Sequence, residues 1–227
     1  MARPAGCTEP VLFTWSGGKD SAIALYELQR TKGFRVAALL TTVTEDYGRV
    51  SMHGVCNALL ERQAEALGLP LEKVHITKDS SNAEYDARMA DKLSYYRSQG
   101  VSAVAFGDIF LEDVRRYREE NLGKVGMKAL FPIWQRDTAE LARAFLGLGF
   151  RAVVTCVDST LLGRRFAGRE FDASFLAELP AGVDPCGERG EFHSFVYGGP
   201  IFRNTVAHNR GQVVLRDGFY YCDLLPA

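Results

Sequence analysis

The sequence contains no Cys-x-x-Cys pair, and its five cysteines, at 7, 56, 156, 186 and 222, are odd in number and widely spaced. That pattern argues against a disulfide framework or a structural zinc site and fits a reducing compartment. Neither sign of charge is in excess: 27 basic and 28 acidic side chains leave a net charge of −1, with no long basic run. A protein whose main task is to grip RNA or DNA depends on phosphate neutralisation, so this balance disfavours a nucleic-acid partner. No apolar run approaches the ~20 residues needed to cross a bilayer, and Met1 to Cys7 lack the apolar centre of a signal peptide. A cytoplasmic protein with no membrane contact is expected. The remainder is ordinary globular sequence, 47% hydrophobic and 24% charged over 227 residues, enough for one large domain or two small ones.

Two common nucleotide signatures are missing as well. A Walker A loop needs Gly, four residues, then Gly-Lys-Ser/Thr. Counting back five positions from Gly18 meets Phe13, and Asp20 follows Lys19. The G-x-G-x-x-G of dinucleotide-binding folds does not fit Gly17-Gly18 either. What stands there is Ser16-Gly17-Gly18-Lys19-Asp20-Ser21, between an apolar strand, Val11 to Trp15, and an apolar helix, Ala22 to Leu28. Glycines in such a turn let the backbone approach an anion, and the free N–H groups of the first helical turn point at it. Ser16, Lys19 and Ser21 add two hydroxyls and a cation. The expected ligand is a nucleotide held by its phosphates.

Strand and helix patterns then alternate, with strands at 11–15, 34–43, 71–77 and 101–106 and helices at 20–31, 55–67, 82–98 and 111–121. Gly68 stops the second helix, and Ser81 or Asn82 caps the third. The alternation predicts an α/β fold, a Rossmann-like parallel sheet sandwiched by helices, with its ligand beyond the carboxyl ends of the strands. That rule gathers the 16–21 loop, Thr41, Thr42 and Thr44, and Gly107-Asp108 on one edge. Asp108 reads as a site residue, acting through magnesium or a substrate amine, with a cap for the next helix as the alternative.

Beyond Phe131-Pro132-Ile133-Trp134 the pattern changes. A helix at 137–147, a strand at 151–157 and a short helix at 172–179 precede strands at 192–197, 204–208, 212–216 and 219–224. Asn209-Arg210-Gly211 and Asp217-Gly218 read as turns between the last strands. We expect a nucleotide-binding domain over 1–130 and a smaller mixed α/β acceptor domain over 131–227. The second polar patch lies in that part, Asp184-Pro185-Cys186-Gly187-Glu188-Arg189-Gly190-Glu191-Phe192-His193. By strand alternation Glu191 and His193 share a face, with Phe192 opposite. A Glu–His pair can move protons or hold an amine; the plainer alternative is a solvated turn and an edge-strand histidine.

These motifs together resemble the diphthine–ammonia ligase family, a branch of the PP-loop ATP pyrophosphatases, with the pattern of a bacterial-type relative. The resemblance runs through SGGKDS at 16–21, Met52-His53, the stretch Gln63 to Pro70, Gly107-Asp108-Ile109 with Arg115, Phe131 to Trp134, Gly187-Glu188-x-Gly190-Glu191-Phe192 and Gly199-Pro200-Ile201-Phe202. It implies an adenine nucleotide alpha-hydrolase-like fold and a ligase that adenylates a carboxylate with ATP, releases pyrophosphate and lets ammonia displace AMP. Magnesium would travel with the nucleotide, and no protein metal site is implied. Ser16, Gly17, Gly18, Lys19, Asp20 and Ser21 would hold the pyrophosphate portion, with Lys19 stabilising the leaving charge. Thr41, Thr42, His53 and Gly107 would border the nucleotide. Asp108, Glu188, Glu191 and His193 would serve the chemistry. Members acting on diphthine carry a second Gly after Gly-Glu and an acidic residue where His193 stands; this chain has Arg189 and His193, which points to a different acceptor. The expected partners are ATP, a carboxylate-bearing acceptor and ammonia, with a homodimer left open.

Two other functions compete. A PP-loop RNA-modifying enzyme of the thiolation kind commonly needs paired cysteines, which are missing. A nucleotide-binding sensor would have little use for the 187–193 loop. Among lesser signals, Arg115 sits on a charged helix with Arg116 and Arg118 that reads mainly as a solvated face, and Cys186 reads as a small buried thiol.

Overall fold

In the computed structural model, which describes residues 8–44, 49–50, 55–77 and 81–227, the first strand is covered on both sides. β1 (Glu9–Thr14) sends Val11 and Phe13 into one apolar cluster and Leu12 into another, all fully buried. Such burial of successive residues is the mark of a central parallel strand. Its sheet also holds β2 (Phe34–Thr44), a short antiparallel β3 (Arg49–Val50), β4 (Leu71–Ile76), β5 (Ala103–Ala105) and β6 (Lys128–Leu130). The parallel strands lie in the order β4-β2-β1-β5-β6.

The helices divide between the faces. α1 (Lys19–Arg30) and α2 (Asn57–Leu67) pack with Val11 and Phe13; α3 (Asn82–Ser98) and α4 (Glu112–Lys124) lie on the Leu12 side, through Leu93 and Leu122. The helix limits have local causes. Ser81 and Glu84 form a capping box at the start of α3, and Gly68 ends α2 in the left-handed conformation. The chain leaves β1 toward β2 and β4, then crosses back to β5 and β6. Neighbouring β1 and β5 are therefore where the winding reverses, and a crevice opens at their carboxyl ends.

The rest of the chain builds a second, antiparallel sheet. It contains β7 (Arg151–Asp158), β8 (Phe192–Gly198), β9 (His208–Arg216) and β10 (Phe219–Pro226) in the order β8-β7-β10-β9, with α5 (Thr138–Gly147), α6 (Ala173–Ala177) and a 3-10 turn at Arg164–Phe166. Its Phe175, Phe192 and Phe195 share one apolar cluster with Phe13, Trp15 and Leu25 of the first part. The second sheet thus covers the α1–α2 side and leaves the α3–α4 side alone.

Two sequence expectations fail here. The strand expected at 204–208 is absent except for its last residue, and β9 (His208–Arg216) runs from there straight through the presumed turn at Asn209 to Gly211 into the expected 212–216 strand. Gly211 has another reason to be glycine: a Cβ there would lie 3.1 Å from the Asp223 carbonyl oxygen, beside the register shift between Cys222 and Leu224. A glycine inside a strand marks a bulge or close approach as readily as a turn. The true turn is Asp217-Gly218, with φ of 47° and 81°, as a tight hairpin requires. The strand β6 was not anticipated, because three residues beside a Phe-Pro break give no period to read.

One side chain joins the parts. Gln63 of α2 is fully buried. Its amide donates to the Gly17 carbonyl at 3.0 Å and the Val196 carbonyl at 2.5 Å, and accepts from Trp15 Nε1 at 3.0 Å. Replacing it by leucine keeps the volume roughly and takes this partner from the buried Trp15 Nε1 and Val196 carbonyl, while the Gly17 carbonyl keeps the Val196 N–H. We expect Gln63→Leu to lower folding stability by about 3 kcal/mol in urea unfolding. A loss below about 1 kcal/mol would mean that Trp15 Nε1 and the Val196 carbonyl find other partners.

Candidate active site

The loop after β1 is shaped by close approaches. Gly17 has φ of +80°, and a Cβ there would lie 2.7 Å from Gln63 Oε1, so both its conformation and its neighbour require glycine. Gly18 precedes α1 in an extended conformation and offers no side-chain cap. Ser21 Oγ donates to the Gly18 carbonyl at 2.9 Å, and Ser16 and Ser21 hydroxyls lie 3.1 Å apart. The first N–H groups of a helix have no partner within it. Here one of them, from Lys19, donates to Ser194 Oγ on β8 at 3.1 Å. The second sheet therefore supplies the cap that the loop lacks.

The Lys19 side chain is buried. Its ammonium lies 2.8 Å from both Asp20 carboxylate oxygens, donates to the Cys186 carbonyl and stands 5.3 Å from the centre of the Phe192 ring. Burial pulls its pKa down, but the Asp20 carboxylate outweighs burial and the pKa ends above the ordinary lysine value. The ammonium of the loop is thus held by Asp20 and fastened to the 184–191 turn.

A cavity of about 860 Å³ opens at the β1–β5 reversal. Its wall includes Ser16, Gly18, Lys19, Asp20, Ser21, Thr41, Thr42, Gly107, Asp108, Glu188 and His193. Residues from four separate stretches of the sequence meet there, as strand-end topology requires. Gly17 supports the wall from behind, its carbonyl taken by Gln63 and Val196. His53 lies outside the described residues. Gly107 ends β5 against the loop: a Cβ there would lie 3.0 Å from the Ser21 nitrogen.

Glu191 departs from its expected setting, and Asp108 and Arg115 take partners that the sequence did not name. Glu191 is buried and is not on the cavity wall. It precedes β8, and its carboxylate accepts from the Asp184 and Arg189 N–H groups at 3.1 and 3.0 Å. The alternation argument failed because the strand begins only at Phe192. Asp108 does not cap α4, whose N-cap is Leu111. It forms a two-point ion pair with Arg118, Nε to Oδ2 at 2.6 Å and Nη2 to Oδ1 at 3.1 Å. Arg115 turns to Glu119 at 2.8 Å and lies over Trp134, and does not line the cavity.

Glu188 is carried by the 184–191 turn to the end of β5, where its Oε1 accepts from the Ile109 N–H at 2.8 Å. Burial raises its pKa to about 7; the Ile109 N–H opposes that rise and the Asp20 charge adds to it. A carboxyl group that titrates near neutrality is suited to proton transfer. His193 goes the other way, to about 4, through burial and the nearby Lys19 charge, and is a neutral imidazole at neutral pH. Cys186 is buried with its thiol donating to the Thr138 carbonyl at 3.3 Å, and burial raises its pKa. It has none of the features of a nucleophile.

Sequence reasoning gave Gln63, Ser194 and Arg118 no role in the site. A glutamine on an amphipathic helix reads as surface, and nothing local distinguishes it. Ser194 follows His193 on a strand whose register only the structure fixes. Arg118 did leave a signal: Leu111, Val114 and Arg118 recur at helical spacing on the face that lines the cavity.

The sequence matches the family model described as the diphthamide synthase N-terminal domain over residues 10–129, and that of the diphthamide synthase C-terminal domain over 137–223. Curated relatives include the diphthine–ammonia ligase of Schizosaccharomyces pombe, 28% identical over 94% of this chain and 38% of that protein. Another is the diphthine–ammonia ligase of Danio rerio, 26% identical over 88% of this chain and 86% of that protein. The chain thus spans well under half of the yeast protein and most of the zebrafish one. Among solved structures, the U34-tRNA thiolase NcsA from Methanococcus maripaludis with its 4Fe-4S cluster aligns at a TM-score of 0.39 and 17% identity, over 63% of this chain and 59% of that one.

The Glu188 environment gives a signed pH dependence. Its pKa is raised from 4.5 to about 7 in the folded protein, so the native state holds the proton more tightly than the unfolded chain. Burying this group costs least below about 4.5, costs progressively more as pH rises toward about 7, and is constant above that. Unfolding midpoints in urea between pH 5 and pH 8 should therefore fall with pH in the parent relative to Glu188→Gln. A difference between the two that stays flat across this range would show that Glu188 titrates normally.

Proposed function

The chain belongs to the diphthamide synthase family, and we propose that it is an ATP-dependent, AMP-forming ligase that amidates a carboxylate with ammonia. The observation that carries this reading is the convergence of the phosphate loop with Glu188 and His193 on one cavity. A sensor of ATP would need the loop alone.

In this mechanism the ATP phosphates lie over Gly18 and the start of α1, with adenosine toward Thr41 and Thr42. The acceptor carboxylate attacks the α-phosphorus, the bond to the β-phosphate breaks, and pyrophosphate leaves with the electron pair. Lys19 and the α1 N-terminus stabilise the charge that develops there. Ammonia then attacks the acyl carbon, the carbon–oxygen bond to AMP breaks, and the nitrogen loses a proton. Glu188, placed on the cavity wall with a pKa near 7, receives it. Glu191 acts indirectly, by holding the turn that carries Glu188.

Magnesium would enter with the nucleotide. Among the described residues no group of three or more His, Cys, Asp or Glu could hold an ion by itself. Magnesium binds mainly through phosphates, water and one or two carboxylates; Asp20 and Asp108 are the aspartates on the wall that fit this part. The acceptor differs from diphthine in this proposal, because Arg189 and neutral His193 replace the residues of diphthine-type members. We divide the labour between a nucleotide unit over 1–130 and an acceptor unit over 131–227. Among the described residues no helix is long and apolar enough to cross a membrane.

Turnover should release AMP and pyrophosphate, separable from ADP and phosphate by chromatography of labelled products. Mainly ADP would overturn the proposal. Lys19→Ala alone leaves the partly buried Asp20 without its cation and so disturbs the fold. The paired change Lys19→Met with Asp20→Asn removes both charges and is the better test. It should fold and lose about 100- to 1000-fold in turnover; a folded pair variant with parental turnover would remove Lys19 from the mechanism.

A further inference from the structure

The cavity does not end at the strand tips. It continues between α3 and α4, over the face of the sheet that the second sheet leaves uncovered. α4 contributes wall residues from Leu111 to Val125, about 20 Å of helix at 1.5 Å per residue. Carbon side chains form much of its lining, Met89 and Leu93 from α3, Val104 and Phe106 from the β5 end, Leu122 and Val125 from α4. α3 and α4 both return from strand ends toward the opposite edge of the sheet, so the slot runs away from the phosphate loop along their length. Across it Asp86 accepts from the Tyr117 hydroxyl at 2.5 Å and the Asn121 amide at 3.4 Å. This polar clasp holds the helices at the separation that keeps the slot open.

A helix pair over a sheet normally closes such a gap, because an unfilled apolar space forfeits dispersion contacts on every wall. A slot with apolar side chains along its length, polar groups at Tyr117, Arg118 and Asn121 in one wall and a phosphate loop at one end is the shape for an elongated, largely apolar body with an anionic head. Resting on the ligase reading above, with adenosine on the β2–β4 side, the α4 side is left to the second substrate. We propose that the slot between α3 and α4 receives the apolar body of the acceptor, an elongated aliphatic or aryl carboxylic acid. Its carboxylate meets the α-phosphate at the open end, near Glu188, and its chain extends along α4. Specificity toward the acceptor is therefore read by the first part of the chain as well as by the 184–191 turn.

Straight-chain carboxylates from acetate to decanoate, titrated into the full chain by calorimetry, test this directly. The dissociation constant should fall about fourfold for each methylene added, until the slot is filled. Ala90→Phe, which puts a ring in the slot wall, should weaken decanoate at least tenfold and leave ATP affinity within twofold. Val125→Phe, at the far end, should weaken only the longest acids and serves if the first variant does not fold. No dependence on chain length, or decanoate affinity unchanged in a folded plug variant, would overturn the proposal. Loss of ATP affinity in Ala90→Phe would overturn it too, by assigning the slot to adenine. ATP–pyrophosphate exchange separates this inference from the ligase reading. Chain-length-dependent binding without exchange leaves the slot and removes the ligase; exchange with acetate and decanoate alike, with flat binding, does the reverse.

Discussion

A primary amide in the interior, that of Gln63, fixes the relation of every other part of the site. It has no water to fall back on, so its three partners must stay where they are. Those partners are the end of β1 through Trp15, the phosphate loop through Gly17 and the second sheet through Val196. The requirement for glycine at 17 follows from it, since any side chain would displace the same amide. The packing of β8 against α1 follows as well, and with it the Ser194 cap and the contact between Lys19 and the Cys186 carbonyl. The phosphate loop is a joint product of both parts of the chain.

The electrostatics depend on that arrangement. Burying Lys19 without Asp20 would be prohibitive, and the pair is held in place by the turn at 184–191. The same turn sets Glu188 in partly apolar surroundings near the Asp20 charge, which is why its carboxyl holds a proton at pH values where an exposed glutamate has lost it. His193, close to Lys19 and buried, cannot gain a second positive charge there. Around one cation the site thus holds a carboxyl that changes state near neutrality and an imidazole that does not.

Much of the first part was legible because its signals are local. The hexapeptide Ser16 to Ser21, the period of the helices and the capping box at Ser81 each act within a few residues. Strand-end topology then gathers Thr41, Thr42 and Asp108 without further information. The second part was harder. Gly211 marks a close approach to Asp223 across a strand pair, which is a contact far apart in sequence and looks locally like a turn. Glu191 was misdirected by a one-residue uncertainty in where β8 begins, and in a strand one residue exchanges the two faces. Gln63 was invisible because its role lies in three partners from three elements. The slot between α3 and α4 could not be foreseen, since a helix face that lines a cavity and one that lines a core share the same apolar period.

The sheet is dressed unequally on its two sides. The α1–α2 side is continuous with a second sheet and packed with aromatic rings, whereas the α3–α4 side has a smaller apolar cluster and an aspartate clasp between its helices. The two sides are therefore closed by different means, a second sheet on one and a smaller apolar cluster with a polar clasp on the other. The phosphate loop is anchored on the side with the second sheet. An occupant between α3 and α4 adds contacts to both helices, so on that side occupancy and rigidity rise together.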